Sequence, residues 1–410
     1  MNIPTLGPAT IASPQKHFTR DDIRIPENIV CGADPGILFE RAGPRANLFF
    51  DPKETRAGIV TCGGICPGLN NVIRSIFLEL THGYGVKEVW GFRNGYTGLH
   101  PDSNPVLLTP EFVHDIHLKG GTVLGSSRGP VDVSKAVDNL IARKINILFT
   151  VGGDGTQRGA NNLYLEASRR GYALSVVGVP KTIDNDIEFV SRTFGFLSAV
   201  EESARVLGCA HVEAKSVPGG IGIVRLMGRH AGFITAGATV ASQDVNFALI
   251  PEAPFSLEKF LLALKERMLL RDHAVIAIAE GVGQDLLEGT ESKDASGNVK
   301  LKDIGRFLRS KIEEYFKAEG ISVVTRYFDP SYQVRSRPAN AEDALICDLF
   351  ARHAVHAAMT GKTGLIIGRI HDLFIHVPIG LLEGRTKRLD PSRGWWHAVL
   401  AATGQPEFAL

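Results

Sequence analysis

Short apolar runs of strand length recur along this 410-residue chain, and most give way first to glycine or polar residues and then to a stretch with helical spacing. The runs lie at 57–60, 145–151, 174–179, 220–226, 245–250 and 274–279, and helical stretches at 70–80, 160–170, 193–207 and 257–270. Such alternation predicts βαβ units and parallel sheets, an α/β chain. A helix to about Lys317, a strand at 323–328, a helix at about 343–359 and a hairpin across 364–379 continue the pattern. Residues 283–303 are polar and glycine-rich and read as an exposed loop. Residues 1–54 scatter proline and charge with no sustained period; they read as an N-terminal extension wrapped over the body or over a partner subunit.

Composition narrows the function. Forty-five basic residues against 44 acidic ones leave a formal charge of +1, which removes the electrostatic case for nucleic acid or an anionic membrane as main partner. With 44% hydrophobic and 22% charged residues the chain is not disordered, and its length suits two or three domains. The five cysteines (Cys31, Cys62, Cys66, Cys209, Cys347) lack paired metal spacing and read as reduced thiols. The first twenty residues hold no apolar signal core, and no uncharged apolar stretch approaches the ~18 residues that span a bilayer, so the expectation is a soluble cytoplasmic protein. The 44 glycines matter by position, since glycine lets backbone approach a phosphate closely.

Ligands of open parallel sheets bind where strands end, so polar clusters directly after apolar runs are the candidates. Thr61 to Asn70 (TCGGICPGLN) turns a strand into a helix with three glycines; its N–H groups suit a phosphate, although a purely structural tight turn uses the same residues. Gly152-Gly153-Asp154-Gly155-Thr156 adds to such a turn a hard oxygen for Mg²⁺. Pro180 to Asp186 (PKTIDND) sets Asp184 and Asp186 beside Lys181 and Thr182, which suits a general base or, alternatively, an Asx-rich turn. Met227-Gly228-Arg229 and Glu280-Gly281 offer groups for phosphate and for sugar hydroxyls, residue types that elsewhere are often only surface. Gly125 to Gly129 carries Arg128, and residues 326–337 carry three arginines, some of them simply solvated. No Ser/His/Asp triad and no Walker A sequence is present. The combination asks for phosphoryl transfer between two phosphorylated molecules, chemistry in which a protein mostly positions reactants and neutralises charge.

In their order, GGICPGLN (63–70), GSSRGP (125–130), GGDGT (152–156), PKTIDND (180–186), MGR (227–229) and AEG (279–281) resemble the 6-phosphofructokinase family over roughly residues 55–380. Within it the chain is most similar to the ATP-dependent members of the branch that otherwise uses pyrophosphate, a group with plant and trypanosomatid enzymes. The resemblance implies two Rossmann-like parallel-sheet domains with the active site in the cleft between them. The nucleotide-binding domain would take 55–200 with about 333–375, and the fructose 6-phosphate-binding domain 201–332 with about 376–410. It implies that Asp184 is the base for the sugar's C1 hydroxyl, with Lys181, Thr182, Ile183 and Asp186 around it, and that Asp154 serves Mg²⁺. Gly63, Gly64, Arg128, Gly153, Gly155 and Thr156 would contact ATP; Met227, Gly228, Arg229 and Glu280 the sugar phosphate; Arg326, Tyr332 and Arg335 its phosphate, partly across a subunit boundary. That boundary implies a homo-oligomer, dimer or tetramer, of a glycolytic allosteric kinase.

Three positions depart from or divide the family. Gly220 stands where the common bacterial form has a substrate arginine, with Arg225 as candidate replacement, and Tyr332 stands where that form has histidine. Gly155 leaves room for the α-phosphate and the nucleoside, which favours ATP, whereas a carboxylate there marks pyrophosphate users. Lys181 points the other way, because a cation beside the base stabilises a pyrophosphate-derived leaving group. Rival readings are a pyrophosphate-dependent enzyme, a kinase of another substrate sharing the GGDGT turn, and a nucleotide sensor, which would be expected to lose Asp154 or Asp184.

Overall fold

The computed structural model describes residues 2–287 and 299–408 and divides into two compact units. The first comprises Met1–Thr182, Ile187–Gly195 and Ser336–Arg385, the second Ile183–Asp186, Phe196–Arg335 and Thr386–Leu410. In the first unit β1 (Ile11–Ala12), β2 (Arg24–Pro26), β3 (Leu38–Arg41) and β4 (Asn47–Leu48) are followed by β5 (Arg56–Thr61), β6 (Glu88–Phe92), β7 (Val106–Leu107), β8 (Ile147–Gly152) and β9 (Ser175–Pro180). The second unit supplies β10 (Gly220–Leu226), β11 (Phe247–Leu249), β12 (His273–Ala279) and β13 (Val324–Phe328). The chain then returns to the first unit for β14 (Leu365–Ile370) and β15 (Leu373–Pro378).

The first unit is built on a nine-stranded sheet in the order β2-β3-β15-β14-β9-β8-β5-β6-β7, whose centre, β14 to β6, is parallel. Every residue of β8 is buried, as expected of a strand covered on both faces, so its sequence shows a continuous apolar run and no alternation. The expected hairpin is β14 with β15, turned at His371 and Asp372, both at positive φ (49° and 62°), the twist that suits a two-residue hairpin loop. The second unit holds an all-parallel sheet, β11-β12-β10-β13, packed against a core that includes Phe260, Leu264, Leu308 and Phe316.

The strands expected at the apolar runs all form, but two helices begin elsewhere. The helix expected over 160–170 starts at Asp154, inside the glycine cluster, and the one expected over 193–207 runs Phe196–Lys215. Gly159 sits in the first of these because the Tyr96 ring leaves no room: a Cβ there would lie 2.5 Å from Cε2. The N-terminal residues are built into the first unit. β3 pairs with β15, setting Glu40 opposite His376, and the buried Glu40 carboxylate meets Arg45 and Lys362 at 2.8 Å and His376 Nδ1 at 3.1 Å. Burial opposes that charge, yet the bonds from His376 and Lys362 hold the Glu40 carboxyl well below the usual carboxylate range. Strands of only two to four residues, β1 and β4 in a two-stranded sheet of their own and β2 and β3 at one end of the large sheet, explain why no period is visible there. Of the loop expected over 283–303, residues 288–298 lie outside the described residues. None of the five cysteines is in a disulfide, and no described helix is long and apolar enough to cross a membrane.

Candidate functional site

In the first unit the carboxyl ends of β5, β8 and β9 lie side by side and their turns are stitched together. Cys62 N–H donates to the Val151 carbonyl at 2.9 Å, and Lys181 N–H to the Gly152 carbonyl at 3.1 Å. Gly63, at φ 83°, donates to the Ser127 carbonyl at 3.0 Å, while Ser126 Oγ donates to the Gly63 carbonyl at 2.5 Å and Thr61 Oγ1 to the Gly125 carbonyl at 2.7 Å. The TCGGICPGLN, GSSRGP, GGDGT and PKT segments are therefore neighbours, as their place after strands predicts. Lys181 is buried, with Nζ donating to the Gly64 carbonyl at 2.5 Å; a Cβ at Gly63 would come within 3.3 Å of that nitrogen.

Asp154 and Gly155 are exposed at the first two positions of the helix Asp154–Arg169, and Gly153 precedes it as N-cap. Thr156 and Gln157 point inward: Gln157 Nε2 donates to the Gly152 carbonyl at 2.9 Å, and a Cβ at Gly152 would fall 2.1 Å from Thr156 Oγ1. A Cβ at Gly155 would meet nothing nearer than Arg158 Nη2 at 4.0 Å, so the backbone opens to solvent at the dipole-positive end of a helix. A cavity of about 1000 Å³, which the motif reading missed, lies beside these turns and is lined by Arg93, Asn94, Tyr96, Asp132 and residues 102–107 among others. Two of its residues reach the turns: Tyr96 OH donates to the Thr156 carbonyl, and Asn94 N–H to the Leu124 carbonyl at 2.8 Å. Tyr96 and Asn94 sit just after β6, so the strand-end rule could have found them.

The PKTIDND run is divided: Pro180–Thr182 belongs to the first unit and Ile183–Asp186 to the second. In the first, the Thr182 carbonyl accepts from Thr193 Oγ1 at 2.7 Å; in the second, Asp184 and Asp186 are half-buried and the Asp186 carbonyl accepts Lys387 N–H at 2.9 Å. Buried Asn185 takes φ 56°, which sharpens the turn.

In the second unit the turns after β10, β12 and β13 stand in adjacent strand positions. Glu280 N–H donates to the Leu226 carbonyl at 2.9 Å and Gly281 N–H to the Gly228 carbonyl at 3.2 Å. Two glycines permit this approach: Gly228 is at φ 125°, and a Cβ at Gly281 would lie 1.9 Å from the Arg229 carbonyl oxygen. Met227 and Arg229 are half-buried; the Arg229 guanidinium meets His230 Nε2 at 3.1 Å and the Val299 carbonyl. Burial, and then Arg229, push the His230 pKa down. Glu280 pairs with Arg225 at 3.2 Å, and burial pushes its carboxyl up. Arg225 also meets Asp329 at 3.0 Å and Asp303 at 3.8 Å, so three carboxylates surround the guanidinium offered above as a replacement phosphate contact. The late arginines separate. Arg335 lies over the exposed Tyr332 ring at 5.0 Å, whereas Arg326 lines a groove with Arg306 and Arg309 and reaches Glu213 at 3.7 Å.

This arrangement suits phosphoryl transfer, for which a two-unit α/β phosphotransferase holds anions on backbone turns and guanidinium groups and leaves carboxylates for proton and metal work. A family model described as phosphofructokinase matches residues 56–358, and the chain belongs to that family. It is 44% identical over 407 residues to the ATP-dependent 6-phosphofructokinase of Borreliella burgdorferi, covering 95% of this chain and 91% of that one. It is 48% identical over 372 residues to the ATP-dependent 6-phosphofructokinase of Trypanosoma brucei brucei, covering 90% and 76%. Among solved structures, the pyrophosphate-dependent phosphofructokinase from Marinobacter aquaeolei superposes with a TM-score of 0.72 over 86% of this chain and 92% of that one; at 21% identity this is a likeness of fold alone.

Proposed function

We propose that the chain transfers the γ-phosphoryl group of ATP to the C1 hydroxyl of fructose 6-phosphate, giving fructose 1,6-bisphosphate and ADP. The observation that carries the choice of donor is the open backbone at Gly155 beside exposed Asp154, which leaves space for an α-phosphate and nucleoside. The ATP-dependent names of near-full-length relatives support it.

In this reading Gly63, Gly64, Arg128, Gly153, Gly155 and Thr156 hold the donor phosphates, with the nucleoside directed to the cavity at Tyr96. Arg229, Met227, Gly228 and Glu280 bind the sugar phosphate; Arg335 and Tyr332 contact its phosphate, with Arg326. Asp184 takes the C1 hydroxyl proton as the new O–P bond forms and the bond to the ADP oxygen breaks; Thr182, Ile183 and Asp186 keep the acceptor in line. Among the described residues no group of three or more His, Cys, Asp or Glu side chains could hold a metal by itself. The exposed Asp154 carboxylate is a hard oxygen donor of the kind that would hold Mg²⁺. When bound, the ion would neutralise developing phosphate charge. The buried Lys181 ammonium favours pyrophosphate as an alternative donor.

The reading extends to a cytoplasmic, glycolytic, allosteric homo-oligomer. The test is turnover of the purified protein on fructose 6-phosphate with ATP and pyrophosphate supplied separately. Faster turnover with ATP is expected; faster turnover with pyrophosphate overturns the donor, and none with either overturns the acceptor.

A further inference from the structure

Glu252 lies just beyond β11 and has no part in the reaction as read so far. Its half-buried carboxylate holds two segments of chain together. Gly232 N–H lies 3.0 Å from both Oε1 and Oε2, and Leu389 N–H donates to Oε1 at 2.9 Å. Gly232 closes the turn that opens at Met227 and is the N-cap of the helix Phe233–Ser242. The fit is tight: a Cβ at Gly232 would lie 2.4 Å from Ile250 Cβ and 3.0 Å from Glu252 Oε2. The other shoulder of the same turn is held by Gly281 N–H on the Gly228 carbonyl. Two residues before Leu389, Lys387 donates its N–H to the Asp186 carbonyl, and its ammonium stands 5.2 Å over the Phe233 ring.

We infer that Glu252 is a positioning residue for the phosphorylated acceptor: through Gly232 it sets the turn that bears Arg229, and through the segment 387–389 it ties that turn to the run that bears Asp184. The inference rests on the assignment of Arg229 to the sugar phosphate. A carboxylate is needed because three donor–acceptor approaches converge on it. A glutamine at 252 would offer one accepting oxygen and turn an NH₂ toward a backbone N–H. Every bond in this chain of contacts lies within the second unit, so its loss falls on acceptor binding and not on the donor.

Steady-state kinetics with each substrate varied in turn tests this, with the melting temperature as a check on folding. Glu252→Gln is expected to raise the KM for fructose 6-phosphate roughly tenfold while the KM for ATP and kcat stay within about twofold, and Glu252→Asp, which restores the charge, to recover part of the loss. A purely structural role would lower the melting temperature and leave both KM values of the folded fraction unchanged, and that result overturns the inference. Should Glu252→Gln not fold, Glu252→Asp decides: an unchanged KM for the sugar phosphate overturns it. Arg229→Ala separates the two readings. If it raises the sugar-phosphate KM and the Glu252 variants do not, the positioning role alone fails; if it does not, the assignment of the turn fails and the inference falls with it.

Discussion

Replacing Gly155 by aspartate adds one carboxylate at a place where the fold has no objection to it. The position is exposed, a Cβ meets nothing nearer than 4.0 Å, and the residue is the second of the helix Asp154–Arg169, where a negative charge faces the positive end of the helix dipole. Glycine is also the poorer helix former, so Gly155→Asp should be neutral or stabilising by a few tenths to about 1 kcal/mol. Its effect on the donor has the opposite sign. At about 5 Å from a donor phosphate, and with an effective dielectric constant between about 40 and 20, two unit charges repel by about 1.7 to 3.3 kcal/mol. That corresponds to a loss of roughly twentyfold to 250-fold in kcat/KM for ATP, before any loss from the volume the side chain fills. The assay is kcat/KM for ATP at saturating fructose 6-phosphate, beside the melting temperature. A variant that melts no lower than the parent and keeps its ATP kcat/KM within about threefold would refute the placing of the donor against residue 155.

Asp184→Asn keeps the shape and removes the proposed base, so kcat should fall by about 10²–10⁴-fold with a far smaller change in substrate affinity; near-parental turnover would show that Asp184 takes no proton. Arg229→Ala should raise the KM for fructose 6-phosphate roughly tenfold to a hundredfold and leave that for ATP nearly unchanged; the reverse pattern would exchange donor and acceptor sides. Acid should weaken the fold. Burial pushes the pKa values of His353 and His356 down from 6.5 to about 3, so below about pH 6.5 the unfolded chain takes up protons that the folded one refuses. Stability from this source is complete above pH 6.5 and is lost as pH falls, by about 2 kcal/mol for each histidine at pH 5. Urea midpoints at pH 7.5 and pH 5 measure it, and a midpoint that holds or rises at pH 5 contradicts it.

The parallel strands were legible because burial on both faces removes the need for alternation, and 147–151 can be little else. The start of the following helix was not. Gly155 and Gly159 look like loop residues, and the reason for the second, the Tyr96 ring, arrives from a segment some sixty residues away. The same distinction runs through the site. Turns that follow strands could be read from sequence because local glycine and charge mark them, and their adjacency follows from strand order. Glu252 could not: a lone glutamate after Pro251 looks like surface until Gly232 and Leu389 are seen converging on it. Arg225 shows the converse, since its type suggested a free phosphate ligand and only tertiary structure reveals the carboxylates around it.

The strand order of the first unit also has a bearing on how the protein is made. β2 and β3 leave the ribosome more than three hundred residues ahead of β14 and β15, yet β3 finds its ladder partner in β15, which in turn is held through β14 against β9. Until β14 has been synthesised the edge of β9 stays uncovered, and until β15 follows it the early hairpin of β2 and β3 has no sheet to join. Completion of this sheet therefore waits for the hairpin of β14 and β15 to insert between strands made long before it, a non-local closure of the kind that slows folding. Nascent chains that stop short of the β14–β15 hairpin carry two exposed strand edges, and those edges are the points at which incomplete copies would adhere to one another.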